Sequence, residues 1–155
     1  MVSSTNDQLT ARASGGVRFF VDTNLTVGVE LAAGGNAWSA ISDRNAKENF
    51  DELNCQEVLR KVAAMPVTTW NLKSQPASIR HIGPMAQDFK AAFGVGEDER
   101  HISTSDADGV ALAAIKGLHE VVREKDSRIA ALEKSVVELR ALVNALIEKS
   151  NGGGP

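Results

Sequence analysis

Tyrosine is absent from this sequence, and two Trp with five Phe supply all the aromatic surface in 155 residues. Side chains of that size usually fill a self-sufficient core, so their scarcity favours small pieces that complete their packing in an oligomer. A single cysteine, Cys55, excludes an intrachain disulfide and a Cys-rich zinc site; in the apolar pattern around it, it reads as a small buried residue. Clustered positive charge is lacking too. The formal charge is -3 with no Lys/Arg patch, which argues against nucleic acid, since phosphate binding requires concentrated cations. No apolar run approaches the ~18–20 residues of a membrane span, so no membrane partner is expected; the N-terminus has no basic-then-apolar signal, and any export signal would lie in a longer precursor. His81, His101 and His119 are scattered along the chain; no metal or cofactor site is expected from them.

Residues 7–41 alternate in polarity through "GVRFFV" and "LTVGVEL", separated by the turn signal "DTN". These are short strands. Two or three of them cannot bury both faces alone, so they require strands from neighbouring subunits or from an upstream segment. From Ser42 the character changes to dense charge. "NAKE" fits a capping box with Asn45 at the N-cap and Glu48 three residues on, which predicts a helix starting there. "CQEVLRKVAAM" continues with Val58, Leu59, Val62 and Met65 at helical spacing and ends at Pro66. "VTTWNLK" reads as a strand, and "IRHIGPMAQDFKAAFGVG" as an extended entry to a short helix with Met85, Phe89 and Phe93 on one side, stopped by Gly94 and Gly96. In the polar loop that follows, Asp106 or Asp108 is positioned to cap the last segment.

That last segment carries the clearest periodicity. Ile115, Val122, Ile129, Val136 and Val143 fall at heptad position a, and Leu118, Lys125, Leu132, Leu139 and Leu146 at d. Nine of these ten seam positions are apolar, which predicts a coiled coil about 60 Å long over residues 110–149. A solitary amphipathic helix packed on a globular body is the competing reading. The strand number stays open. β-branched a with Leu d favours two helices, whereas Leu142 at g and Ile147 at e widen the stripe in a way that suits three or more. Arg128 and Glu133 can pair between parallel chains, and Lys125 either sets register or carries its ammonium out to water.

Ser42 and Lys47 are the candidate chemistry. A serine hydroxyl becomes a nucleophile when a base takes its proton, and a neutral lysine amine serves that purpose. If Asn45 caps a helix, Lys47 sits in its first turn, where the helix dipole and Arg44 disfavour the ammonium while Asp43 and Glu48 favour it. Five residues place two side chains about 140° apart on a helix and on opposite faces of a strand, so the pair can meet only across a bend. The bland alternative makes Ser42 a helix-entry residue and Lys47 a solvated cation.

"SDRNAKENF" resembles the opening motif of the C-terminal intramolecular chaperone and autoprotease domains of phage tail spikes, endosialidases and tail fibres, a family related to the self-cleaving segment of myelin regulatory factor. "VLRKVAAMPVTTWNLK", "RHIGPMAQDF" and "DADGVALAAIKGLHEVV" agree in order and spacing, so the resemblance spans about residues 42–147. It implies a homotrimer that assists folding of an upstream trimeric β-helical stalk and then cuts itself free. By motif, Ser42 corresponds to the nucleophile and Lys47 to its general base, with the cut at Ser42–Asp43; His81 and Gln87 are candidates for ordering the site. Asn45 and Ala46 depart from the basic and aliphatic residues common at their positions, and Trp70 from a frequent aromatic pair.

The resulting expectation is an α+β chain. A β stalk remnant occupies 1–41, a small α/β chaperone body 42–109, a parallel trimeric coiled-coil helix 110–149 and a disordered tail 150–155. Its seam is Ile115, Leu118, Val122, Ile129, Leu132, Val136, Leu139, Val143 and Leu146. Expected partners are the chain itself and the stalk upstream. The expected setting is a phage or prophage virion component folded in the bacterial cytoplasm, with the chaperone part released after cleavage. The alternative function is a non-cleaving trimerisation tip of a tail fibre or surface adhesin. A carbohydrate-binding module has little support, because aromatics are scarce.

Overall fold

The computed structural model describes residues 6–151, so residues 1–5 and the expected tail residues 152–155 lie outside the described residues. The chain divides between Glu52 and Leu53 into two compact units. Together they form an α+β protein with small antiparallel sheets and a long C-terminal helix.

The first unit holds a three-stranded sheet of β1 (Val17–Phe20), β2 (Gly28–Leu31) and β3 (Ser39–Ala40) in the order β1-β2-β3, antiparallel throughout. Register pairs Phe19 with Val29 and Arg18 with Glu30. Side chains alternate across a strand, so Val17, Phe19, Val29 and Leu31 share one face while Arg18 and Glu30 share the other, joined by an ion pair at 3.2 Å. The β1–β2 connection is organised by Asp22. Its carboxylate accepts from the backbone N–H groups of Asn24, Thr26 and Val27 and from the Thr26 hydroxyl, at 2.8–3.2 Å. Those hydrogen bonds favour the ionised carboxylate and hold it below its usual range. Among the described residues this unit buries no side chain: Phe19 is 57% and Trp38 53% exposed, their rings 5.6 Å apart. A folded sheet with its apolar face open is what the scarcity of large side chains predicts.

The second unit is helical. α1 (Cys55–Ala64) starts at Asn54, whose side chain accepts from the Glu57 N–H at 2.9 Å. This corrects the expectation of a helix capped by Asn45. Both "NAKE" and "NCQE" have the N-x-x-E form, but only the second leads directly into an apolar periodic run that can be buried. Between them Asn49 adopts φ 55°, the left-handed region in which a right-handed helix cannot continue. β4 (Thr68–Trp70) and β5 (His81–Gly83) form an antiparallel pair. α2 (Ala86–Phe93) ends on Gly94 at φ 69°, whose N–H donates to the Lys90 carbonyl.

α3 runs from Thr104 to Asn151, 48 residues and about 70 Å. It begins six residues before the expected position 110 and includes Ser150 and Asn151, which were expected in the tail. Asp106 and Asp108 consequently lie within its first turns, not ahead of it. The core forms where α1 meets α3: Cys55 and Val58 pack with Ala113 and Ala114, flanked by Leu59, Val62, Phe93 and Val110. Gly117 is buried in the same contact, where an added Cβ would overlap the Cys55 carbonyl. At ~100° per residue, this face of α3 lies roughly 120° from the stripe of Ile115, Leu118 and Val122. All nine apolar seam residues are exposed in the single chain, Leu139 by 60%.

Candidate functional site

The chain reaches Ser42 from the edge strand. The Ile41 N–H donates to the Gly28 carbonyl at 3.0 Å, which ties the residue before Ser42 to the central strand. Gly28 is required at that close approach, because a Cβ there would overlap the Phe19 carbonyl.

Immediately after Ser42 the backbone turns. Asp43 is extended, at φ -70° and ψ 134°, and caps a single 3-10 turn over Arg44–Ala46. Its Oδ1 accepts from the Asn45 backbone N–H at 2.9 Å and from the Asn45 side-chain amide at 3.1 Å. The Lys47 N–H closes the turn on the Arg44 carbonyl at 3.2 Å, and Lys47 itself returns to extended geometry. The Arg44 guanidinium lies over the Phe50 ring, 5.9 Å from its centroid. The turn reverses the chain between two extended residues, Asp43 and Lys47, and so brings Lys47 back toward Ser42. The result is a direct contact: Lys47 Nζ donates to Ser42 Oγ at 2.6 Å.

The bend anticipated at Ser42 is therefore present, but its origin differs from the expected one. Lys47 ends a short turn; it does not open a helix, so no helix N-terminus acts on its amine. Asp43 and Asn45 supply the bend, and sequence reasoning assigned neither of them that part. The signal was available, since an Asp side chain commonly accepts from the backbone N–H two residues on and so starts a local turn. Ser42 and Lys47 are both exposed in the single chain. Chemically the pair can do one thing that neither residue does alone. With the amine uncharged, the proton of the hydroxyl can pass to nitrogen as the oxygen attacks a carbonyl.

His81 and Gln87 belong to the second unit. His81 stacks on Trp70 with ring centroids 4.8 Å apart, and its Nε2 lies 3.0 Å from Gln75 Oε1. The Trp70 indole N–H is buried without a hydrogen-bond partner. Gln87 is exposed in the first turn of α2. His101 contacts the Asp98 carboxylate through Nδ1 at 2.9 Å, and the Arg100 N–H and His101 together hold that carboxyl below its usual range. Among the described residues, no three His, Cys, Asp or Glu side chains converge as a metal site would require, and no helix is long and apolar enough to cross a membrane.

No curated protein is similar enough to the chain to count as a match. The peptidase S74 family model, described as the chaperone of endosialidase, matches residues 42–95. The match opens on Ser42, includes Lys47 and the turn between them, and extends through α1, β4, β5 and α2. Residues 42–95, about a third of the chain, are thus similar to the chaperone of endosialidase family.

Proposed function

We propose that this chain is an intramolecular chaperone that assembles as a homotrimer, templates an upstream β-helical stalk, and then releases itself by serine–lysine autoproteolysis at Ser42–Asp43. The observation that carries this reading is the 2.6 Å contact between Lys47 Nζ and Ser42 Oγ at the first residue of the family match. The family supports the chaperone role, and the exposed faces support assembly. A sheet with Phe19 and Trp38 open to water and a helix with nine exposed seam residues both gain by association with further copies.

The mechanism follows from what the pair requires. A lysine in water titrates near 10.4 and holds its proton at neutral pH, so an exposed lysine is a poor base. Packing neighbouring chains over the elbow removes water and favours the uncharged amine. Lys47 then accepts the Ser42 hydroxyl proton while Oγ attacks a backbone carbonyl. The amine of the severed peptide bond takes a proton as it leaves, and water hydrolyses the resulting ester. Each chain cuts once. Because the elbow hangs from Gly28 of the sheet, cutting reports that the end of the stalk has wound correctly. Loss of the template afterwards makes assembly irreversible.

The coiled coil would form first. Its contacts are local, whereas β pairing between chains carries a large loop-closure cost until the chains are held in register. In this reading the protein is a component of a phage or prophage virion, folded in the bacterial cytoplasm.

Denaturing electrophoresis with mass spectrometry tests the proposal. Wild type should yield fragments of roughly 4 and 12 kDa from the 16.5 kDa chain, and Ser42→Ala should stay whole. A wild-type chain that assembles but never breaks would instead identify a non-cleaving trimerisation tip.

A further inference from the structure

The contact between Ser42 and Lys47 is built by side chains that take no part in proton transfer, and one of them makes most of the turn. We infer that Asp43 is a positioning residue for the self-cleavage proposed above, acting as a side-chain acceptor that closes the elbow and delivers Lys47 Nζ to Ser42 Oγ. This rests on the autoproteolytic reading and adds to it the device that sets the geometry.

Asp43 sits between two anchors. On its N-terminal side the chain is fixed by the Ile41 N–H on the Gly28 carbonyl; on its C-terminal side the Lys47 N–H binds the Arg44 carbonyl. Between them the Asp43 carboxylate accepts twice from Asn45, through backbone and side chain. The Asp43 carbonyl also accepts from the Ala46 N–H at 3.2 Å. The three-residue turn is too short to persist on its own backbone bonds, because fixing the dihedral angles of a first turn is returned by one hydrogen bond. Side-chain capping at its entry supplies the difference. Without that cap, residues 43–46 revert toward extended chain, and a Ser and a Lys five apart on extended chain face opposite ways. The requirement is for an acceptor oxygen at this position. Asn and Ser satisfy it; Ala does not.

The test follows cleavage of the full chain with time in wild type, Asp43→Ala, Asp43→Asn and Asp43→Ser, across a range of pH. Asp43→Ala should cut about 10- to 100-fold more slowly, the effect of misplacing reacting groups by about an ångström. Asp43→Asn and Asp43→Ser, each compared at the pH where it cuts fastest, should restore the rate to within about threefold, since both are good caps. In an Ser42→Ala background, Asp43→Ala should assemble as well as the parent. If Asp43→Ala cuts as fast as wild type, or if Asn and Ser fail to rescue it, the inference falls. A wild type that stays whole removes the self-cleavage reading and this inference together, so the two failures are told apart.

Discussion

Lys47 Nζ lies 2.6 Å from Ser42 Oγ across a turn of only three residues. The contact needs the length of the lysine side chain as well as a nitrogen that can lose its charge. Lys47→Arg keeps the positive charge and hydrogen-bonding capacity, but guanidinium does not deprotonate in proteins. Lys47→Arg should therefore assemble normally and remain uncut, as judged by sedimentation alongside mass spectrometry. Cleavage of that variant at the wild-type rate would show that Lys47 is not the base.

The seam predicts coupling between assembly and cutting. Leu132→Asp or Leu139→Asp places a charge on the exposed apolar stripe of α3, in the unit that does not contain Ser42. Each should reduce the sedimentation mass toward a single chain and slow cleavage at least about tenfold, because in the proposed mechanism neighbouring chains must cover the elbow. Lys125→Leu removes the one polar seam residue and should raise the thermal midpoint of the assembled form.

Gly117 and Gly109 lie on the same helix and should respond oppositely to alanine. A Cβ on Gly117 overlaps the Cys55 carbonyl where α1 crosses α3, so Gly117→Ala should cost about 1–3 kcal/mol. Nothing lies near a Cβ added at Gly109, so Gly109→Ala should stabilise the helix by about 0.5–1 kcal/mol. Urea unfolding midpoints of the two variants measure both effects.

The loop carboxylates predict a response to acid. Asp22 and Asp98 are both held below the usual carboxylate range in the folded chain, because backbone N–H groups and a neighbouring side chain favour their ionised forms. A depressed folded value gives stabilisation that is complete above the unfolded value and lost as pH falls through the folded one. Amide exchange at Val27 should thus stay slow near neutral pH, after correction for intrinsic rates, and quicken below about pH 4. In Asp22→Asn that acid dependence should disappear.

Much of this arrangement is legible along the chain. Alternation in "GVRFFV" and "LTVGVEL" locates β1 and β2 because a strand repeats every two residues; the break after Phe93 follows from Gly94, which the left-handed cap requires. The start of α1 was open to the same reasoning, since "NCQE" offers the N-cap that "NAKE" imitates. Choosing between them requires asking which candidate leads into a face that can be buried.

The sequence by itself determined the repeating signals: two strands, the amphipathic run of α1, the heptads of α3, and an ordered motif beginning at Ser42. Each depends on neighbours a few residues away. The tertiary structure decided which face of α3 receives α1, selecting the small side chains of Ala113, Ala114 and Gly117 and leaving the larger seam residues open. It also decided that Ser42 and Lys47 meet, because that distance depends on how Asp43, Asn45 and the tie from Ile41 to Gly28 fix several backbone angles at once. No periodicity in residue type encodes such a sum of angles.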